Sequence, residues 1–285
     1  MIRKIVQSLT LLCNNAYLVG FLEGRIYKGK LKSACVPGLN CYSCPGAVFS
    51  CPIGSLQAVL GSYQYSFSFY VTGLLLFFGL LFGRFACGFL CPFGLLQELL
   101  HKIPSPKFHK KLWKWLPHVK YVILVVFVLA LPALFKGNMG IGHPAFCKYI
   151  CPAGTLTAGL PLLATQPAMR DAIGRLFCLK STIAVITVLG CFFIYRFFCK
   201  VLCPLGAFYG LFNKFALYRL NYCAENCVHC GACSKACKMT VDPSLTPDSP
   251  ECIRCGDCVK ACNFSALKAG VFLKHTSDKG KLVSI

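Results

Sequence analysis

The pattern Cys-Pro-x-Gly recurs four times along the chain and constrains the fold more than any other feature. It occupies residues 51–54, 91–94, 151–154 and 203–206, with one apolar stretch between each copy and the next. A proline can open a helix without losing a hydrogen bond, because the first N–H groups of a helix have no partner within it. Each copy therefore predicts a loop that presents a cysteine, then a short helix near a membrane surface, then a span.

The apolar stretches predict an integral membrane protein. Hydrophobic residues make up 56% of the 285 residues and charged residues 14%, whereas about a quarter of the residues in soluble domains are charged. Three stretches approach the ~20 residues that a helix needs to cross a bilayer: Phe67–Phe85, Val119–Phe135 and Ser181–Phe198. A fourth stretch, Ile5–Leu22, contains Gln7, Asn14 and Asn15. It predicts either a fourth span or an interfacial or re-entrant helix.

The basic residues indicate how the chain is oriented. If all four stretches span, most lysines and arginines fall on the side that holds both termini and the 84–120 loop. That side is cytoplasmic by the positive-inside rule, which predicts a multi-pass protein of the cytoplasmic membrane with both termini in the cytoplasm. The net charge is +21, but the basic residues form no single stripe, so we expect no nucleic-acid partner.

Eight of the 22 cysteines form two runs of C-x2-C-x2-C-x3-C near the C-terminus. This is the spacing of bacterial two-cluster ferredoxins, in which the fourth cysteine of each run binds the other cluster. The predicted [4Fe–4S] ligands are Cys227, Cys230, Cys233 and Cys262 in one set, and Cys252, Cys255, Cys258 and Cys237 in the other. A pair of zinc sites is the alternative, but zinc does not require the doubled run. We expect an α-helical membrane domain, residues 1–220, with about four transmembrane helices and short interfacial helices, followed by a C-terminal α+β two-cluster ferredoxin-like domain, residues 221–285.

Three C-x3-C-P motifs lie at the ends of the apolar stretches. Each supplies two thiolates, and a [4Fe–4S] cluster takes four cysteines, so the motifs must combine. On the cytoplasmic side, the predicted inner set is Cys87, Cys91, Cys199 and Cys203. On the opposite side, the predicted outer set combines Cys147 and Cys151 with partners among Cys35, Cys41, Cys44 and Cys51. Alignment of the repeats makes Cys51 the counterpart of Cys151, with Cys44 or Cys41 as its companion. We therefore expect two or more clusters in the membrane domain.

Other residues near the motifs have weaker predicted roles. Four basic residues flank the cysteines, where they either stabilise a negatively charged cluster or anchor helix ends at the lipid headgroups: Arg84, Lys148, Arg196 and Lys200. Cys13 and Cys191 are interpreted as small core residues, with a cofactor role as the alternative. Cys178 and Cys223 fit no motif, and His118 and His143 are interpreted as interfacial residues.

With these motifs the chain resembles the membrane polyferredoxin family of 4Fe–4S binding proteins. That family includes the iron–sulphur membrane subunit of periplasmic nitrate reductase systems and the C-terminal part of the nitrous-oxide reductase regulator. The resemblance covers roughly residues 60–265. It implies electron transfer, with ligands at Cys87, Cys91, Cys199, Cys203 and the eight cysteines of the tail. The segment CYSCPGAVFSCPIG and the motif at Cys147 depart from the family pattern, because they add a ligand set on the far side.

The sequence thus predicts a membrane-bound electron-transfer protein, a subunit of a larger oxidoreductase complex with no catalytic residue of its own. It would relay electrons from the cytoplasmic ferredoxin-type clusters, through the membrane clusters, to an acceptor at the opposite face. The expected partners are the lipid bilayer, a cytoplasmic donor or other redox subunits, and an extracytoplasmic acceptor such as a flavin or haem protein. The alternatives are a quinol dehydrogenase subunit, which would bind a quinone, and a redox sensor or cluster-dependent scaffold.

Overall fold

Helices account for most of the structure. The computed structural model describes residues 2–62, 68–107, 115–135, 142–167, 170 and 173–271. The longer helices are Ile2–Asn14, Pro52–Gly61, Phe69–Phe82, Pro92–Leu100, Leu116–Leu134, Arg175–Phe193 and Pro204–Phe212. The shorter ones are Val19–Glu23, Lys30–Ser33, Phe85–Phe89, Phe146–Ile150, Phe197–Val201, Ala232–Ala236 and Asp257–Lys260, and residues 152–165 form an irregular helix.

Two of the four predicted spans form helices that are long and apolar enough to cross a membrane. Leu116–Leu134 and Arg175–Phe193 have 19 residues each, or about 28 Å at 1.5 Å per residue. The helix Phe69–Phe82 has 14 residues, or about 21 Å. It is shorter than the predicted span Phe67–Phe85, of which residue 67 lies outside the described residues.

The last predicted span is displaced along the chain. It was expected at Ser181–Phe198, but the helix begins at Arg175 and ends at Phe193. The backbone of Arg196 is left-handed, with φ of 52°, and a non-glycine residue rarely adopts this conformation inside a helix. The chain therefore turns before Cys199 and starts a new short helix there.

The first apolar stretch does not form one helix over Ile5–Leu22, so a single continuous spanning helix there is wrong. The first helix ends at Asn14, and a separate helix covers Val19–Glu23. The Asn14 carbonyl instead accepts a hydrogen bond from the Val48 N–H at 3.0 Å. A contact with a later loop thus satisfies a carbonyl that a continued helix would have used.

A two-stranded sheet closes the tail. Strand β1, Tyr218–Tyr222, pairs antiparallel with β2, Leu267–Val271, with Leu220 opposite Ala269. Leu220 and Leu267 pack with Cys258 in a small core. Since the two strands flank both cysteine runs, the sheet holds the ends of that segment together, and the predicted division at residues 220/221 falls within β1.

Candidate iron–sulphur sites

Four buried cysteines meet between two pairs of short helices. Cys87 and Cys199 lie within short helices, whereas Cys91 and Cys203 each precede the proline that opens the next helix. Each of the four is 5% exposed, and their thiols lie within electrostatic range of one another. The structure therefore brings together all four cysteines predicted for the inner set.

Two buried arginines bind across the inner set in a reciprocal arrangement. Arg196 Nη1 donates to the Cys87 carbonyl at 2.7 Å, and Arg84 Nη2 donates to the Cys199 carbonyl at 3.0 Å. Neither side chain has any exposed surface, so of the two roles that the sequence left open for these residues, anchoring helix ends at the headgroups does not fit. Each guanidinium instead brings positive charge to a place where four thiolates would gather.

The carboxylates that pair with these arginines come from different parts of the chain. Arg196 contacts Glu98 at 2.6 Å, and Arg84 contacts Glu251 at 2.9 Å. Burial alone would raise the pKa of Glu98, but the guanidinium groups of Arg196 and Arg3 hold that pKa below its usual range. Glu98 is therefore ionised at neutral pH, and the Arg196–Glu98 pair is a buried ion pair.

Two glutamines donate hydrogen bonds to cysteine sulphurs, a role that was not predicted from the sequence. Gln97 Nε2 lies 3.1 Å from Cys199 Sγ, and Gln57 Nε2 lies 3.3 Å from Cys147 Sγ. Each glutamine stands six residues after the cysteine of its own Cys-Pro-x-Gly copy and reaches the first cysteine of another motif. That shared offset is the sequence signal that could have identified them.

The outer set forms around the loop that precedes the helix Pro52–Gly61. Cys51, Cys147 and Cys151 lie within electrostatic range of one another, and Cys41 is within range of all three. Cys44 is buried beside Lys32 and Cys41. Of the two companions left open by the sequence, the structure therefore places Cys41 with the outer set.

Cys35 makes its hydrogen bonds to residues outside that group. Its sulphur donates to Ser55 Oγ at 3.3 Å, and its N–H donates to the Tyr70 hydroxyl at 3.3 Å. Cys35 therefore has local hydrogen-bond partners, and like Cys44 it is a predicted ligand that the structure does not place with Cys51 and Cys147.

The glycine of the repeated pattern leaves room for the outer set. A Cβ atom added at Gly154 would lie 3.3 Å from Cys41 Sγ, and one at Gly54 would lie 3.7 Å from Cys147 Sγ. In the inner set the corresponding atoms at Gly94 and Gly206 would lie 3.1 and 3.2 Å from Nη2 of Arg196 and Arg84. At three of the four copies the added atom would be closer than ordinary van der Waals contact, so the pattern Cys-Pro-x-Gly joins a helix-opening proline to a position that favours a small residue.

We predict that Cys41→Ser removes one cluster whereas Cys44→Ser leaves every cluster in place. Both residues lie on the same loop, but it is the thiol of Cys41 that acts electrostatically on Cys51, Cys147 and Cys151. Iron content and EPR spectra of the two purified variants provide the measurement. Equal loss of iron in both variants, or loss in Cys44→Ser alone, would contradict the placement of Cys41.

Two cavities divide the tail cysteines in the crossed manner that the sequence predicts. One cavity, of about 270 Å³, is lined by Cys227, Cys230, Cys233 and Cys262. The other is lined by Cys237, Cys252, Cys255 and Cys258. Each cavity therefore receives three cysteines from one run and the fourth cysteine from the other run.

The two runs also share a backbone conformation. Left-handed φ angles occur at three pairs of equivalent positions: His229 and Arg254, Gly231 and Gly256, and Thr240 and Ser265. Left-handed residues are uncommon outside glycine, so their repetition at matched positions indicates one loop geometry used twice. Such loops wrap three thiols around one centre.

If the two tail clusters exchange their fourth cysteines, Cys262→Ser and its matched control Cys237→Ser should damage different clusters. Cys262→Ser is expected to damage the cluster of the 227–233 loop, because Cys262 lines that cavity. Cys237→Ser is expected to damage the cluster of the 252–258 loop for the same reason. Redox titration followed by EPR distinguishes the two signals, and the opposite assignment of losses would show that ligation is not crossed.

The second tail loop is docked on the inner set. A Cβ atom added at Gly88 would lie 2.6 Å from the Ile253 carbonyl oxygen, so only glycine permits this approach. Asn213 Nδ2 donates to the Ser249 and Cys252 carbonyls at 2.8 Å each. The tail cavity that contains Cys252 therefore lies against the short helix that carries Cys87.

The chemistry of the donors suits iron–sulphur clusters. Amide N–H groups of Gln97, Gln57 and Gly206 point at cysteine sulphurs, and hydrogen bonds to ligand sulphurs are one of the factors that set cluster potentials. In the described part of the chain, no group of three His, Cys, Asp or Glu side chains is placed to hold a single metal ion. A cubane differs from such a site because its four cysteines bind four separate irons.

Known proteins share these motifs. The family described as 4Fe-4S binding domain matches residues 63–111, 119–163 and 181–220, which contain the inner set and the motif at Cys147. The methylamine utilization ferredoxin-type protein MauN of Paracoccus denitrificans is 27% identical over 79% of this chain and 73% of its own length. No solved structure matches the chain.

Two further relatives match about half of the chain. An uncharacterized protein of Methanocaldococcus jannaschii is 32% identical over 57% of the chain, and the match spans 61% of that protein. The regulatory protein NosR of Pseudomonas aeruginosa is 30% identical over 56% of the chain and 21% of its own length. The chain thus carries three matches to this 4Fe–4S binding domain and is similar to ferredoxin-type electron transport proteins.

Proposed function

We propose that this chain is a membrane electron-transfer protein with four [4Fe–4S] sites, acting within a larger redox complex. The sites are the two tail sets, the inner set, and an outer set of Cys41, Cys51, Cys147 and Cys151. When bound, such clusters supply one-electron redox chemistry. The observation that carries the proposal is the spatial order of the sets, since each lies beside the next.

The order begins at the tail. The 227–233 loop and the 252–258 loop exchange their fourth cysteines, so the two tail sets are neighbours. The second loop lies on the helix of Cys87 through the contact between Gly88 and Ile253. A donor that docks at the more exposed first loop would therefore have a continuous route to the inner set.

The order continues from the inner to the outer set through a loop that enters the helical core. A Cβ atom added at Gly38 would lie 2.9 Å from the Cα of Cys91, and Gly38 belongs to the loop that carries Cys41. Cys51 and Cys151 pack in the same buried core as Cys87 and Cys91. This inset loop supports a short separation between the sets, in place of the ~30 Å that divides the two surfaces of a hydrocarbon core.

The residues around the four sets would bind the clusters, exclude water from them and adjust their reduction potentials. The glycines of the repeats allow thiols and guanidinium groups to approach, and the burial of the inner set excludes water from it. Arg84 and Arg196 offset the negative charge of four thiolates, while Gln57 and Gln97 donate to sulphur. With the 84–120 loop and the tail in the cytoplasm, the inner and outer sets would face opposite sides of the cytoplasmic membrane.

Iron analysis with potentiometric EPR on anaerobically purified protein tests the proposal. Four clusters correspond to about sixteen irons per chain, with four separable redox signals. About eight irons, all accounted for by the tail, would overturn the membrane sites.

Thiol labelling tests the topology without touching any proposed ligand. Cys178 lies within one turn of the start of the Arg175–Phe193 helix, and Cys223 directly follows β1. Both are exposed and belong to no set, and the predicted topology puts them at the outer membrane surface and inside, respectively. Impermeant reagents should therefore label Cys178 in intact cells and Cys223 only after the cells are opened. Labelling of both from one side would contradict transmembrane relay.

A quinol dehydrogenase subunit remains the second candidate because of one cavity. It measures about 310 Å³ and is lined mainly by apolar side chains of the Pro92–Leu100 helix and of the segment 11–21, together with Asn15, Asn40, Cys41 and Cys44. Apolar pockets with a few polar groups are typical of small-ligand sites, and this one adjoins the outer set. Quinone retained after purification, and reduction of the clusters by a quinol analogue, would favour this candidate.

A further inference from the structure

Tyr209 stands at the position of the repeat that the two glutamines occupy in other copies. Gln57 and Gln97 each follow the cysteine of their Cys-Pro-x-Gly copy by six residues, and Tyr209 follows Cys203 by the same number. Both glutamines donate to the sulphur of the first cysteine in another motif. Position six of the repeat is therefore a donor position in two of the four copies.

The remaining copy shows that the offset alone is not sufficient. Thr157 follows Cys151 by six residues, but its hydroxyl donates to the Ala153 carbonyl within its own helix at 2.8 Å. The residue at position six can donate a hydrogen bond to a cysteine of another motif only when its polar group extends away from its own helix backbone. The long side chain of Tyr209 meets that condition, since its hydroxyl makes no hydrogen bond within the described residues.

The surroundings of the Tyr209 hydroxyl contain the sulphurs that this position would serve. The side chain has no exposed surface and packs in the core shared by both membrane sets. The thiols of Cys87, Cys51, Cys91 and Cys35 are within electrostatic range of the hydroxyl. Gln97 reaches the first cysteine of the 199–203 motif, so its counterpart from that motif's own helix would reach Cys87.

A buried hydroxyl without a hydrogen-bond partner destabilises the folded protein. Native interiors seldom contain such groups, so the orphaned hydroxyl points to an acceptor that belongs to the assembled site. A phenol at its ordinary pKa of about 10 is protonated at neutral pH and has an O–H to donate.

We propose that Tyr209 is a positioning residue whose hydroxyl donates a hydrogen bond into the sulphur environment of the inner set beside Cys87. The inference rests on the proposed inner cluster and extends it. A donor at sulphur stabilises the added negative charge of the reduced form, so Tyr209 raises the reduction potential of the inner set. Because Cys51 is also in range, the hydroxyl acts on the side of the inner set that faces the outer set.

Tyr209→Phe removes the hydroxyl and keeps the ring. We expect unchanged iron content and a shift of the inner-set midpoint potential to a lower value in an EPR redox titration of the full chain. Tyr209→Gln is the rescue variant, because glutamine is the donor at this position in two other copies. Its inner-set potential is expected to lie closer to that of the unmodified protein than the potential of Tyr209→Phe does.

Tyr149→Phe is the matched control. Tyr149 lies between Cys147 and Cys151 in sequence but is 39% exposed, so loss of its hydroxyl should shift no potential. An unchanged inner-set potential in Tyr209→Phe with all clusters present, or an equal shift in Tyr149→Phe, would overturn the role of Tyr209. Absence of an inner-set signal from the unmodified protein would instead overturn the proposed cluster itself.

Discussion

Cys91→Ser and Cys203→Ser are each expected to abolish the same cluster, with loss of about four irons per chain. The two residues lie more than a hundred positions apart, yet both are buried with Cys87 and Cys199 and lie within electrostatic range of Cys199. Each C-x3-C-P motif brings only half of the four cysteines, so neither motif can hold a cubane alone. The double variant should therefore lose no more iron than either single variant.

Cys178→Ser is the control for this pair. Cys178 is exposed and belongs to none of the four sets, so its iron content and EPR signals should equal those of the unmodified protein. Additive iron loss in the double variant would show that Cys91 and Cys203 serve two different clusters. In that case the pairing of the inner motifs would be wrong.

The pairing of the inner motifs was predictable because each motif has two cysteines and a [4Fe–4S] cluster takes four. Two C-x3-C-P motifs that are predicted on one side of the membrane would supply the four thiols of one site, and the structure places Cys87, Cys91, Cys199 and Cys203 together. The crossed division of the tail cysteines was predictable for a similar reason, since the doubled spacing leaves each loop one ligand short. In both cases the stoichiometry of the cofactor restricts the tertiary contacts.

The choice of Cys41 over Cys44 was not predictable from the sequence. The two residues are three positions apart, and the path of an irregular loop decides which thiol reaches Cys51. The same loop ends the first helix early, because the Val48 N–H binds the Asn14 carbonyl. Hydropathy reports the apolar character of a stretch but does not report such tertiary competition for a backbone carbonyl.

The positions of the polar residues around the sets could be read from the sequence, but their burial and contacts could not. Arg84 and Arg196 drew attention because each precedes a cysteine motif by three residues, but their burial and their reciprocal bonds to Cys199 and Cys87 depend on the fold. The shared offset of Gln57 and Gln97 from their cysteines is present in the sequence. The role of this position becomes evident only in the structure, where the glutamine of one copy donates to a cysteine of another motif.

Arg196→Gln is expected to lower the free energy of unfolding by about 3–5 kcal/mol, the usual cost of removing one partner from a buried ion pair. Arg196 donates to Glu98 through Nε and Nη2 at 3.0 and 2.6 Å and to the Cys87 carbonyl at 2.7 Å. Its loss leaves the Glu98 carboxylate with Arg3 as its remaining cationic partner. Guanidinium unfolding of the protein in detergent provides the measurement.

A double-mutant cycle separates the ion pair from the other contacts. In Arg196→Gln combined with Glu98→Gln no buried carboxylate is left at this position, so the double variant should be more stable than the sum of the two single effects predicts. Strict additivity would mean that the pair contributes little and that the bond to Cys87 accounts for the loss.

Arg84→Gln is the matched variant, since Arg84 occupies the equivalent place in the other inner motif. Its carboxylate partner, Glu251, belongs to the tail, and its Nη1 also donates to the Pro250 carbonyl at 2.6 Å. Hydrogen exchange at residues 249–254 should therefore rise in Arg84→Gln and stay near its original level in Arg196→Gln. The two arginines have the same relation to the thiols, so a difference confined to the tail would identify Arg84 as the residue that holds the ferredoxin-like segment against the inner set. Equal exchange in the two variants would instead assign the docking to Asn213 and the close contact at Gly88.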